Sequence, residues 1–147
     1  MSHLKNLKAY VNWPFDRVES TDILFAVDDK LNMPLIDVLM LYLNENYDKD
    51  IDPMYGYDAS DFKWSRCSPF PEDDMDRYIK LECDISGTYH GYDIDCHVNT
   101  DVYLSSLMGD TIEDVIKHIV RIMRCEYECQ AYEEMKRIEK ATAWQDE

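Results

Sequence analysis

The clearest periodicity in the chain has a repeat of two. In RYIKLECDIS, residues 77–86, Ile79, Leu81, Cys83 and Ile85 share one side. In GYDIDCHVNTD, residues 91–101, Tyr92, Ile94, Cys96 and Val98 fall on one side, and Asp93, Asp95, His97, Asn99 and Asp101 on the other. Such alternation predicts half-buried strands. A turn at Ser86-Gly87 would join them as a hairpin, pairing Ile85 with Thr88, Leu81 with Tyr92 and Ile79 with Ile94. That register brings both apolar sets to one face.

Two other stretches follow the helical period. Asn32 as N-cap and Pro34 in the first turn open a helix through PLIDVLMLYLNEN, which is apolar almost all round and therefore central and buried. Asp110 and Glu113 resemble a capping box for a helix from about Thr111 to Thr142, with no glycine or proline inside it. Its first half carries Ile112, Val115, Ile116, Ile119, Ile122 and Met123. Its second half is mostly Glu, Lys and Arg around Cys129, Tyr132, Met135 and Ile138. Uninterrupted, it would span roughly 48 Å, more than the ~40 Å diameter of a domain of this length. The first half should dock on the core, and the second should project or pair with another subunit. A break near residues 125–130 is the alternative.

The remaining segments are less regular. AYVNW (9–13) reads as a strand stopped by Pro14. DILFAVDD (22–29) fits either a buried strand or a short helix capped by Thr21, with Ile23, Val27 and Leu31 on one face. Residues 44–76 contain three prolines and no sustained period, and read as a long loop with at most one short element. Together these elements predict a single α+β domain: a small antiparallel sheet on a buried helix, with a long C-terminal helix.

Charge changes the picture more than composition does. The chain has 147 residues, of which 31 are acidic and 15 basic, a formal net charge of −16. Residues 44–110 contain sixteen acids and five bases, and 81–110 contain no lysine or arginine. An acidic surface repels nucleic acid and anionic membrane and attracts basic proteins. The stretch LIDVLMLYL is far too short to cross a bilayer. The N-terminal MSHLKNLKAYVNWP has no apolar run of signal-peptide length. Five cysteines without framework spacing suit reduced thiols, and a cytoplasmic location is expected.

Chemistry-bearing motifs are few. Only four glycines occur, and there is no P-loop, Gly-x-Gly-x-x-Gly or Gly-x-Ser-x-Gly. Asp93, Asp95 and His97 could reach one ion as i, i+2 neighbours, yet they make no complete ligand set. DKDIDPMYGYDA begins like a calcium loop, then places Pro53 where glycine is required and Ala59 where a bidentate glutamate belongs. Cys125 and Cys129 lie one helical turn apart without a further ligand motif. His118 reads as surface or packing, and His90 as a core histidine on the apolar side of the hairpin. No cofactor and no metal are expected, and no enzymatic activity.

What remains is an acidic stretch interleaved with aromatics. Tyrosine occurs eleven times in the chain. Aromatic side chains anchor interfaces, and carboxylates steer toward a basic partner. The expected partner-binding residues are Asp84, Asp93, Asp95, Asp101, Asp58 and Asp61, with Tyr55, Tyr57, Tyr89 and Trp64. The expected function is a binding protein that occupies the basic site of a nucleic-acid-binding protein or nuclease, as viral counter-defence proteins, antitoxins and immunity proteins do. The alternatives are a small-molecule or metal-binding protein using the hairpin acids, or an assembly adaptor and homodimer working through the long helix.

Overall fold

Every second residue from Ile79 to Ile85 and from Ile94 to Val98 is wholly or partly sunk against helices, while the residues between them face solvent. A computed structural model describes residues 17–28, 32–46, 57–66 and 78–145. The expected strand at 9–13 lies outside these residues. The order of elements is α1 (Ser20–Phe25), β1 (Val27–Asp28), β2 (Met33–Pro34), α2 (Leu35–Asn46), β3 (Asp58–Arg66), β4 (Tyr78–Tyr89), β5 (Tyr92–Tyr103), a 3-10 turn at Leu104–Ser106 and α3 (Ile112–Gln145). The α+β class is as expected. Strands β3, β4 and β5 form an antiparallel sheet in that spatial order, and β1 and β2 form a separate two-stranded pair.

The hairpin differs from the expected register. Tyr89 pairs with Tyr92, Ile85 with Cys96, Cys83 with Val98 and Ile79 with Val102. The turn is His90-Gly91, not Ser86-Gly87. Both turn residues have positive φ, 49° and 87°, the signature of a type I′ turn whose twist matches that of the strands. The strands therefore lengthen to twelve residues each. The shift is by an even number of residues, so the apolar sets still share a face. His90 consequently sits exposed at the turn rather than in the core. Gly87 instead lies within β4, where a Cβ would come 2.7 Å from Tyr57 Cδ1, so the strand leaves room for the tyrosine ring.

Residues 58–66, expected within a loop, form strand β3, which pairs with β4 from Asp58↔Ser86 to Arg66↔Ile79. Periodicity failed here because the strand contains a bulge. Asp61 and Phe62 together oppose one residue of β4, and Asp61 is left-handed at φ 55°. Asn44 of α2 secures the bulge. Its Nδ2 donates to Phe62 O at 3.0 Å, and Phe62 N donates to its Oδ1 at 2.7 Å.

Helix α2 is buried nearly all round, through Leu35, Ile36, Val38, Leu39, Met40, Tyr42 and Leu43. It begins at Leu35, after the extended pair Met33–Pro34. Asn32 has φ 54° and so is not its N-cap. The described part of 22–29, residues 22–28, splits between the two readings: α1 ends at Phe25, its N-cap is Glu19 rather than Thr21, and Val27–Asp28 form a strand. Helix α2 packs against β3, and α3 lies beneath β4 and β5.

Helix α3 is continuous through residues 125–130 and spans about 51 Å. Its cap is Thr111, whose Oγ1 accepts from Asp114 N at 3.1 Å, rather than Asp110. Ile112, Val115, Ile116, Ile119, Val120, Met123, Tyr127 and Ala131 form its buried stripe. Beyond Ala131 the described side chains are exposed or half-buried, with Tyr132 46% exposed.

Candidate functional site

Among the described residues the sheet has one face against α2 and α3 and one face open. Register puts the open-face residues into rows: Thr88 beside Asp93, then Asp58, Ser86, Asp95, then Ser60, Asp84, His97, then Lys63, Glu82, Asn99, then Ser65, Lys80, Asp101. Six carboxylates thus face two lysines and one histidine. All the members from β3 and β5 are exposed, and those of the central strand are half-buried or exposed. A depression of about 360 Å³ lies among Asp58, Ser60, Asp84, Ser86, Asp95 and His97.

On its wall, the imidazole of His97 lies between two carboxylates. Nδ1 is 2.6 Å from Asp84 Oδ1, and Nε2 is 2.8 Å from Glu82 Oε2. The Asp84–His97 pair is a non-hydrogen-bonded one in the ladder counted from the turn, so the side chains are at their closest approach, and Glu82 is the diagonal neighbour. Protonation of both ring nitrogens would let each donate to a carboxylate, so this geometry favours the imidazolium. The hydrogen bond to Asp84, then that to Glu82, holds the His97 pKa above the usual histidine value. Neither contact was legible from the alternation of β5, because both depend on the register of the hairpin.

The expected site residues separate into two groups. Asp58, Asp84, Asp93, Asp95 and Asp101 assemble on the open face. Asp61 is exposed at the bulge. The aromatics do not join them. Trp64 is half-buried and donates from Nε1 to Asp37 Oδ1 of α2 at 2.6 Å. Tyr57 packs against Tyr127 with ring centroids 4.8 Å apart, and its hydroxyl donates to Glu128 Oε2 at 3.2 Å. Burial, then Glu128, raises its pKa. Tyr89 packs against the core from the end of β4. Tyr55 lies outside the described residues. Among the described side chains, the aromatic of the sheet that does share the open face is Tyr103, 62% exposed, whose odd position in β5 is the signal for it.

The thiols and remaining histidine carry other duties. Burial pushes the Cys83 thiol up to about 12. Burial, then Glu134 and Asp95, raises Cys96, so neither supplies thiolate near neutrality. Cys125 and Cys129 are exposed. His118 Nδ1 lies 3.4 Å from Leu107 O. On α3, Arg124 Nε sits 3.6 Å from Glu128 Oε1. Among the described residues no group of three His, Cys, Asp or Glu side chains converges to hold a metal ion, and no helix is long and apolar enough to cross a membrane.

The open face therefore offers an array of hydrogen-bond acceptors and negative charge spaced by the strand register. Successive carboxylates on one strand lie roughly 6.8 Å apart, and neighbouring strands about 4.8 Å apart. No family model matches the chain, and no curated protein or solved structure is significantly similar to it.

Proposed function

We propose that this chain is a non-enzymatic binding protein that inhibits a basic, nucleic-acid-handling protein by laying its acidic sheet face over that protein's nucleic-acid site. The observation that carries this reading is the assembly of Asp58, Glu82, Asp84, Asp93, Asp95 and Asp101 on one side of a three-stranded sheet. These like charges repel one another, at a cost to the isolated fold that a cationic partner would relieve. A sheet whose side chains are set by register holds them in fixed positions before binding, which reduces the ordering cost of association. Compared with the sequence reading, the recognition surface is carboxylate-based, and the tyrosines act mainly as packing between sheet and helices.

The test compares two charge-neutralised variants in affinity capture from cell lysate with quantitative mass spectrometry. Asp93→Asn with Asp95→Asn should lose the captured basic protein, and Glu133→Gln with Glu139→Gln on α3 should retain it. A desolvated carboxylate facing an arginine is worth about 2–5 kcal/mol on truncation. Equal losses from both variants would reduce the effect to net charge and sink the reading. A loss confined to the α3 variant would instead favour an adaptor working through the distal helix, where Tyr132 is exposed with Lys136 Nζ 5.4 Å from its ring centre.

A further inference from the structure

The two edges of the main sheet are built differently. Edge strand β3 carries a bulge, Lys63 and contact with α2, all devices that discourage a further strand. Edge strand β5 runs from Tyr92 to Tyr103 in unbroken register with β4, without proline, lysine or bulge. Among the described residues no strand pairs with its outer side.

The turn fixes which main-chain groups point outward. In a two-residue type I′ hairpin the flanking pair, Tyr89 and Tyr92, exchanges both ladder hydrogen bonds, and bonded and non-bonded pairs then alternate. The even residues of β5 therefore bond β4. Asp93, Asp95, His97, Asn99 and Asp101 direct N–H and C=O away from the sheet. These are the same residues whose side chains line the acidic face.

We infer that the outer edge of β5 accepts an extended strand of the partner, added antiparallel, with lysine or arginine opposite Asp93 and Asp95. The inference rests on the acidic-face reading for the sign of the partner. Strand addition supplies affinity through main-chain bonds and specificity through alternate side chains. A second copy of this chain is a poor occupant, because two antiparallel β5 strands would set aspartates against aspartates across the new ladder, and like charges there destabilise pairing. A cationic strand meets the same positions with opposite charge.

The probe is an acetylated, amidated peptide, Lys-Val-Thr-Val-Thr-Val-Lys-Val-Lys, added to the 15N-labelled full chain. Its seventh and ninth residues fall opposite Asp95 and Asp93 and its first opposite Asp101. One control peptide replaces both threonines, whose N–H groups would face β5, by proline at unchanged charge, and another replaces the lysines by glutamates. Binding should slow amide exchange at Asp93, Asp95, His97, Asn99 and Asp101, and should be about tenfold tighter than for the proline peptide. Asn99→Pro should abolish that advantage while leaving the β4–β5 ladder intact, because the lost N–H points outward. Equal binding of the basic and proline peptides without slowed exchange would overturn the strand-addition inference and leave the acidic-face reading standing. Equal binding of the glutamate peptide would overturn the acidic-face reading itself. Slow exchange at those five amides before any peptide is added would overturn the inference, because the edge would already be filled.

Discussion

Tyr127 is the side chain that locks the long helix to the hairpin, and removing its hydroxyl alone tests that packing. Its ring is fully buried, and its hydroxyl donates to Ile94 O at 2.8 Å. Burial pushes the phenol up to about 12. In Tyr127→Phe the ring remains and one hydrogen bond is lost. The Ile94 carbonyl belongs to a bonded ladder pair with Gly87, so it keeps its β4 partner and is not stranded. The cost should therefore be that of one net hydrogen bond, about 1 kcal/mol, rather than the ~3 kcal/mol of an orphaned buried group. In thermal unfolding followed by circular dichroism this lowers Tm by roughly 2–4 °C. Tyr127→Ala removes the ring as well and should cost about 3–5 kcal/mol. Tyr132→Phe, on the exposed side, should change stability by less than about 0.5 kcal/mol. If Tyr127→Phe and Tyr132→Phe were indistinguishable, the hydroxyl would not be the contact described. The raised phenol also has a pH signature. Its contribution should be fully present below the ordinary tyrosine value of 10.0 and be lost as pH rises toward about 12, so alkaline unfolding of Tyr127→Phe should be shallower than that of the parent.

Three further outcomes are expected. The His97 ring should titrate by NMR above the ordinary histidine value of 6.5, with Asp84→Asn lowering the midpoint more than Glu82→Gln; since the raised group favours the protonated fold, its stabilisation is present below that value and disappears as pH rises through the raised midpoint. A midpoint below 6.5 would mean the two carboxylate contacts do not form in solution. His90→Asn should stabilise the fold by about 0.5 kcal/mol in urea unfolding, because Asn-Gly is the preferred type I′ pair, and a loss of stability would contradict the turn assignment. Gly87→Ala should destabilise by about 1–3 kcal/mol by forcing the Tyr57 ring aside, and the penalty should shrink when Tyr57→Ala is present in the same chain.

The parts legible in the sequence are those where a single period governs burial. Ile79, Leu81, Cys83 and Ile85 alternate cleanly, and the parity of Asp93, Asp95 and Asp101 placed them on the open face without any knowledge of register. The unbroken apolar run of α2 announced its burial in the same way. Register itself was not legible from parity, since Ser86-Gly87 and His90-Gly91 both join the strands with the same faces together. The difference lies in Gly87 making room for Tyr57, a contact between residues thirty positions apart. Strand β3 was hidden because its bulge at Asp61–Phe62 interrupts the alternation, and because Asn44, on a helix, satisfies the bulged backbone. That hidden strand also supplies Asp58 and Ser60, so the acidic face is wider than the hairpin alone implied. The tyrosines misled because composition does not distinguish faces: Tyr57 and Tyr89 point toward the core side of the sheet, and exposed Tyr103 does not.

Carbodiimide labelling of carboxyl groups, read by mass spectrometry with and without the captured partner, tests the acidic face most directly. The account predicts that partner binding protects Asp58, Glu82, Asp84, Asp93 and Asp95 together, while Glu133 and Glu139 on the distal helix label as in the free protein. Protection of the distal helix carboxylates with full labelling of Asp93 and Asp95 would contradict it.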